Sequence, residues 1–144
     1  LVHSIDPALI SALLPRLHLW TSNRSEALGF TSTRTVADAL PGLRARLPGD
    51  CLIVLRDGPQ GCWVSDDHGS QLIAGFKVQA IDSNGAGDAH CGVMIAALSA
   101  GYAAPEAAKR ANAAAALAVT RRGPATSPNA DEVDRLIQEA RIQA

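Results

Sequence analysis

The residues best suited to chemistry in this chain form one short run, Gly85, Ala86, Gly87 and Asp88, which leads into an apolar helical stretch over residues 89–100. Glycines let the backbone approach an anion closely, because no side chain stands in the way. The free N–H groups of a first helical turn point toward such an anion, and the helix dipole adds positive potential there. The run therefore predicts an anion cradle whose carboxylate, Asp88, is placed to accept the proton of a hydroxyl that attacks a phosphate.

Two familiar phosphate-binding motifs do not describe this run. No Gly-Lys-Ser/Thr sequence follows the glycines, which excludes a Walker A loop. A dinucleotide-binding GxGxxG motif would need its third glycine at position 90, where the chain has His90. One simpler alternative stays open, a tight strand-to-helix turn in which Asp88 only complements the helix dipole.

Composition limits the class of protein. The chain has 144 residues, 47% of them hydrophobic and 3% aromatic, which predicts one domain or part of one with a core of small side chains. Its 13 basic and 14 acidic residues give a net charge of −1, which argues against a nucleic-acid surface. No apolar run is long enough for a membrane span, and no signal peptide is evident. Because the chain opens on Leu1 rather than Met, we expect that an N-terminal part is missing.

The cysteines and histidines give no metal-binding pattern. The three cysteines, Cys51, Cys62 and Cys91, show no CxxC spacing and are odd in number, which indicates reduced thiols in a cytoplasmic protein. The four histidines are scattered along the chain. A metal site built from these two residue types is therefore not expected.

Strands and helices alternate through most of the sequence. Apolar patterns and turn residues predict strands at 1–5, 17–21, 51–55, 62–65 and 71–74, the last two as a hairpin. Longer helices are predicted at 87–100, 105–120 and 130–142, the last with Asn129 as its N-cap, and shorter ones open at Asp6, Ser22 and Thr35. This order predicts an α/β fold with a mostly parallel sheet covered by helices on both faces. The turns after Thr21, Leu55 and Ile81 are then expected at one sheet edge, where such folds bind ligands.

Four segments in a fixed order resemble the ribokinase/PfkB-like carbohydrate kinases. The most specific is the sequence DSNGAGD at residues 82–88 with its helix. Residues 23–26 (NRSE) resemble the NxxE motif of that family, and residues 58–61 (GPQG) resemble its GxxG turn. The stretch 110–123 resembles its nucleotide-side helix and the loop that follows. The similarity covers essentially all of residues 1–144.

The resemblance implies a ribokinase-like three-layer α/β/α fold and an ATP-dependent sugar kinase. In such an enzyme Asp88 is the general base that activates an alcohol group of the carbohydrate, and Gly85, Ala86 and Gly87 form the anion hole for the transferred γ-phosphate. Residues 1–144 are expected to be the C-terminal, nucleotide-binding and catalytic portion of the kinase domain. The sheet of that half and a β-hairpin are expected here, whereas the lid and most of the sugar site are expected to be absent, because family members are roughly twice this length.

The resemblance also implies ligands for the nucleotide and for ions. The expected nucleotide-binding residues are Asn23, Gly58, Gly61 and Asn112, and Glu26 is expected to organise Mg²⁺ through water. A monovalent cation, K⁺, often accompanies the anion hole in this family. The residues implied for it are Asp82, Asn84, Ala118, Arg121, Gly123 and Ser127.

Each of these assignments has a simpler structural alternative. Asn23 and Glu26 suit a helix capping box, and Gly58 and Gly61 suit a turn without any ligand. Asn112 in its alanine-rich helix suits a buried polar group that is hydrogen-bonded internally. Likewise, Asp82 suits a turn, and the two arginines at 121–122 suit a helix C-terminus.

The sequence leaves several properties of the protein open. His90 stands where the family usually has phenylalanine, which suits either similar packing or a polar contact to substrate. The resemblance implies a small-molecule sugar or related alcohol as the acceptor, and the alternatives are a nucleoside or hydroxymethylpyrimidine kinase, or a non-catalytic nucleotide-binding module. A homodimer of the full-length protein is also left open. We expect these 144 residues alone to bind nucleotide weakly and to turn over poorly.

Overall fold

The computed structural model describes residues 6–142, which form two compact units. Residues 6–58 and 63–72 make up the first unit, and residues 59–62 and 73–142 make up the second. The strand predicted at residues 1–5 lies outside the described residues.

The first unit contains three helices and most of the sheet. Its elements are α1 (Pro7–Leu13), β1 (Leu19–Asn23), α2 (Arg24–Thr31), α3 (Val36–Arg44) and β2 (Leu52–Arg56), and it includes most of β3 (Gly61–Asp66) and β4 (Gly69–Ala74). Short 3₁₀ turns follow α1 and precede β3. The observed strands begin one or two residues from the predicted positions, which is the usual uncertainty of element ends.

Within residues 6–142 the sheet has four strands in the order β1-β2-β3-β4 and is mixed. The parallel arrangement is confirmed for β1 and β2, which pair in register from Leu19 with Leu52 to Asn23 with Arg56. The predicted hairpin is β3 and β4, joined by a turn at residues 67–68. A connection that short cannot carry the crossover that parallel strands need, so the second half of the sheet departs from the parallel pattern.

The core of the first unit is built around β2. Ile53, Val54 and Leu55 are consecutive and fully buried, as predicted for a strand covered on both faces. The apolar face of α3 packs there with Leu40 and Leu43. The rigid strand and helix pair therefore fixes the backbone at the end of β2, where Arg56 leads into the turn at residues 57–60.

The second unit consists mainly of α4 (Ala86–Ser99), α5 (Ala104–Val119) and α6 (Ala130–Ile142). Alanines fill the buried face of α5, which lets α4 approach it closely. Val133 and Ile137 of α6 complete this core. As predicted, Asn129 caps α6, because its Oδ1 accepts from the Glu132 N–H at 3.0 Å.

Residues 6–142 contain neither a membrane-spanning helix nor a disulfide bond. No helix within residues 6–142 is both long and apolar enough to cross a membrane. Cys51, Cys62 and Cys91 form no disulfide among the described residues.

Candidate active site

The loop of residues 82–88, which we call the glycine loop, opens α4. The helix begins at Ala86, one residue before the predicted start, because Gly85 takes the N-cap position with a left-handed φ of +78°. A Cβ at Gly85 would lie 2.0 Å from the carbonyl oxygen of Pro124, so only glycine can occupy this position undisturbed. The first turn of α4 is thus set against the loop at Pro124, within the second unit.

The side chain of Asp82 closes the glycine loop. Its Oδ1 accepts from the Asn84 N–H, and its Oδ2 accepts from the Gly123 N–H, each at 3.0 Å. The Gly123 N–H, followed by that of Asn84, lowers the pKa of this carboxyl below its ordinary value. Asp82 therefore acts as a turn residue, the simpler alternative given in the sequence analysis. Its side chain also joins the glycine loop to Gly123, which is 41 residues further along the chain.

Asp82→Asn is expected to destabilise the protein in a pH-dependent way. Because the native pKa is lowered, the carboxylate stabilises the fold fully above the ordinary Asp pKa of about 4, and this contribution is lost as the pH falls through the lower native pKa. The asparagine oxygen can replace only one of the two charged acceptors. Urea midpoints of wild type and variant should therefore differ most near pH 7 and converge only as the pH falls from about 4 through the lower native pKa of Asp82.

Asp50→Asn is the control for that measurement, because Asp50 is exposed and its carboxylate makes no hydrogen bond within residues 6–142. Its midpoint difference should be small, because the substitution removes no hydrogen bond. A constant difference for Asp82→Asn across the same pH range would contradict the role of the charged carboxylate.

The candidate monovalent-cation ligands lie around Asp82 and the loop after α5. The Ala118 carbonyl accepts from the Arg121 N–H at 3.1 Å and from the Thr126 hydroxyl at 3.2 Å, so both of its lone pairs are used. The Arg121 side chain pairs with Glu132. Each Asp82 carboxylate oxygen accepts one bond and keeps acceptor capacity. A cation therefore fits the carboxylate of Asp82 better than the carbonyl of Ala118.

The remaining members of that set are less constrained. Asn84 and Ser127 are exposed, and Gly123 has a left-handed φ of +104° with its carbonyl 3.4 Å from the Thr126 hydroxyl. The sequence reasoning missed Thr126, and no spacing or composition signal would have found it, because the contact depends on how the loop after α5 folds back.

Asp88 is the third residue of α4 and its side chain is exposed. It makes no hydrogen bond or ion pair within the described residues 6–142. The half-buried residues Gly85, Ala86 and Gly87 precede it, and the Ala86 N–H makes only a long bond of 3.4 Å to the Ser83 carbonyl. The first N–H groups of a helix have no partner inside it, so this turn offers donors and a carboxylate side by side.

Asn112, a predicted nucleotide ligand, is buried in α5 and hydrogen-bonded internally. Its Nδ2 donates to the carbonyls of Ile73 at 2.9 Å and Ala74 at 3.2 Å. Its Oδ1 lies 3.1 Å from Nε2 of His90, which is also buried. The Asn112 side chain is therefore a buried polar group that is hydrogen-bonded within the protein, which is the simpler alternative given in the sequence analysis.

In the first unit, Asn23 and Glu26 form a capping box at the start of α2. The Glu26 N–H donates to Asn23 Oδ1 and the Asn23 N–H donates to Glu26 Oε2, both at 2.8 Å. Arg56 at the end of β2 approaches Glu26 Oε2 at 3.7 Å, and Arg24 pairs with Asp57 at 3.3 Å. These pairs hold the first turn of α2 beside the turn that follows β2.

A small cavity of about 300 Å³ lies at this end of the first unit. The residues that line it are Asn23, Arg24, Ser25, Arg56, Asp57 and Gly58. Sequence reasoning missed Arg56 and Asp57, although charged residues directly after a buried strand are a signal for a ligand-binding edge. Within residues 6–142 no three His, Cys, Asp or Glu side chains are grouped to hold a metal. Glu26 alone fits Mg²⁺ only in the manner usual for nucleotides, where phosphates and waters supply the other ligands.

The two glycines of the GxxG turn have different environments. Gly58 is exposed and borders the cavity. Gly61 is buried in the second unit, and a Cβ there would lie 2.1 Å from the Ile73 carbonyl oxygen. Gly61 therefore allows a close approach of two backbone segments, whereas Gly58 remains open to a ligand.

The structure thus describes two groups of predicted site residues. In the first unit, Asn23 borders the cavity with Gly58 and is hydrogen-bonded to Glu26. In the second unit, the Asp82 side chain joins Asn84 to the loop at Gly123. Asp88 lies in the first turn of α4. Each group lies at a helix N-terminus, that of α2 in the first unit and that of α4 in the second.

Comparison with known proteins gives a consistent assignment. The sequence model of the pfkB family carbohydrate kinases matches residues 3–131. A ribokinase of Haemophilus influenzae is 33% identical over 137 residues, which cover 92% of this chain and 44% of that protein. The chain therefore spans less than half the length of this curated relative.

Solved structures agree with this match. A ribokinase-type structure from Agrobacterium tumefaciens has a TM-score of 0.88 at 27% identity, covering 97% of this chain and 47% of that one. A structure described as a ribokinase II from E. coli in complex with ATP and Mg²⁺ has a TM-score of 0.81 at 27% identity, covering 92% of this chain and 42% of that one. The predicted ribokinase-like fold is confirmed by these likenesses.

Proposed function

The chain belongs to the pfkB family of carbohydrate kinases, and on that premise we propose that it carries the phosphoryl-transfer end of an ATP-dependent sugar kinase. The reaction moves the γ-phosphate of ATP to an alcohol group of a small carbohydrate. The observation that carries the proposal is the exposed carboxylate of Asp88 in a helix turn that opens at Gly85.

The proposed chemistry follows from that turn. Asp88 accepts the proton of the acceptor hydroxyl, while the hydroxyl oxygen forms a bond to the γ-phosphorus and the bond from that phosphorus to the bridging oxygen of ADP breaks. Gly85, Ala86 and Gly87 present N–H groups toward the charge that develops on the transferred phosphoryl group. Because phosphoryl transfer depends mainly on positioning and charge stabilisation, a preformed helix turn is suited to the task.

Further residues are proposed to hold the nucleotide and its ions. Asn23 and Gly58 border the cavity of the first unit and are the proposed neighbours of the ATP phosphates. Glu26 would hold Mg²⁺ through water, and Asp82 would contribute to a K⁺ site with the carbonyls of Asn84 and Gly123. The bound Mg²⁺ would supply positive charge to neutralise the phosphates.

The test is a coupled ADP-release assay on the intact protein with ribose, fructose, nucleosides and hydroxymethylpyrimidine as acceptors. Turnover with a sugar supports the proposal. Turnover with nucleosides only, or with hydroxymethylpyrimidine only, would show that the acceptor is not a sugar. ATP binding without any turnover would favour a non-catalytic nucleotide-binding module.

A further inference from the structure

His90 and Asn112 form a buried polar pair that the proposed chemistry does not use. Their side chains are 3% and 5% exposed, so neither is open to solvent. His90 lies on α4 and Asn112 lies near the middle of α5, and both belong to the second unit. Buried polar groups of this kind are costly unless they are hydrogen-bonded, so their contacts constrain the backbone around them.

The surroundings of Asn112 decide which atoms face each other. Its amide is 2.9 Å from the Ile73 carbonyl and 3.2 Å from the Ala74 carbonyl, and only the NH₂ group can donate to two carbonyl oxygens. The side-chain oxygen Oδ1 must then face His90. Since an oxygen only accepts, Nε2 of His90 must carry the proton of the 3.1 Å hydrogen bond.

This bond network leads directly to the first turn of α4. His90 follows Asp88 by two residues on the same helix, a rise of about 3 Å. Through Asn112, that helix start is held to α5 and to the carbonyls at the end of β4. A shift of α4 along α5 would break the bond to His90 and would also displace Asp88.

We propose that His90 and Asn112 are positioning residues that fix the first turn of α4, and with it Asp88, for phosphoryl transfer. This inference rests on the proposed function, because it assigns Asn112 to the alignment of the base rather than to contact with the nucleotide. The two roles predict different kinetics. A nucleotide ligand affects the KM for ATP, whereas a positioning residue affects kcat.

The first experiment is a double-mutant cycle in the intact protein with Asn112→Leu, His90→Phe and the pair. Each single variant should lower kcat by about ten- to hundredfold and change the KM for ATP by less than about threefold. The pair should lower kcat about as much as one single variant, because both remove the same hydrogen bond. His90→Gln keeps an N–H donor and should recover kcat to within about fivefold of wild type.

Asn129→Ala controls for plain destabilisation, because Asn129 caps α6 in the same unit. It should lower the urea midpoint and leave kcat close to wild type. A more than tenfold rise in the KM for ATP on Asn112→Leu with unchanged kcat would overturn the positioning role. Independent, multiplicative losses from the two single variants would also overturn it.

A second readout needs no activity. In ¹⁵N spectra of the wild type, His90 should show a protonated Nε2, and both single variants should shift the backbone amide resonances of Gly87 and Asp88. Absence of all turnover in the wild type together with these shifts would reject the proposed function but keep the structural link. Unchanged Gly87 and Asp88 resonances in both variants would reject the link, whatever the activity.

Discussion

Replacing Asp88 by asparagine is expected to lower kcat by about 10²–10⁴-fold, the usual contribution of a general base. Asparagine has nearly the same shape but cannot accept the proton of the acceptor hydroxyl. The side chain has no hydrogen bond or ion pair within residues 6–142, so its replacement should leave the fold intact. The coupled ADP-release assay gives kcat, and calorimetric titration with ATP should show affinity within about threefold of wild type.

Asp131→Asn is the matched control, because Asp131 lies in the first turn of α6 as Asp88 lies in the first turn of α4. Both substitutions remove a favourable helix-dipole interaction of about 0.3–1 kcal/mol. Only Asp88→Asn should affect turnover. If Asp88→Asn retained kcat within about threefold of wild type, Asp88 would not be the base.

Gly85→Ala is expected to remove the anion hole. Its φ of +78° disfavours any side chain, and the added Cβ would lie 2.0 Å from the Pro124 carbonyl oxygen, a rigid backbone atom. Left-handed strain and overpacking together should cost about 2–5 kcal/mol in the free energy of unfolding. Displacement of the helix start should lower kcat/KM about a hundredfold or more. Urea unfolding and the coupled assay measure the two effects.

Gly101→Ala is the control that separates the backbone strain of a positive φ from the steric clash with Pro124. Gly101 follows α4 with a φ of +87°, yet nothing lies within 4 Å of a Cβ there. Its substitution should cost only the left-handed strain of about 1–2 kcal/mol and should leave kcat unchanged. Equal effects of the two variants on stability and activity would show that the contact with Pro124 does not matter.

The sequence predicted the elements well because their signals are local. The continuous apolar run before Arg56 indicated a strand buried on both faces, and Ile53, Val54 and Leu55 are buried. The capping signals at Thr35 and Asn129 were also confirmed, since the Asp38 N–H donates to the Thr35 hydroxyl and the Glu132 N–H donates to Asn129. Such signals depend on residues three or four positions apart, which the chain itself brings together.

The parallel sheet was predicted less completely. The alternation of strands and helices indicated parallel strands, and β1 and β2 follow it. The hairpin of β3 and β4 was also recognised from its turn residues, but its addition to the same sheet makes that sheet mixed. Which strands join one sheet depends on packing between distant segments, for which a single sequence carries only weak signals.

At the candidate site, the sequence by itself determined the residue types and the places where helices open: a glycine pair followed by Asp88, and the capping residues Asn23 and Glu26. Only the tertiary structure decided which of the candidate side chains are hydrogen-bonded within the protein and which are exposed. Asn112 is held by His90 and two carbonyls, and Asp82 joins Asn84 to Gly123, whereas Asp88 stays exposed. Hydrogen bonds between residues 22 to 41 positions apart exist only after the chain has folded, so spacing along the sequence could not assign them.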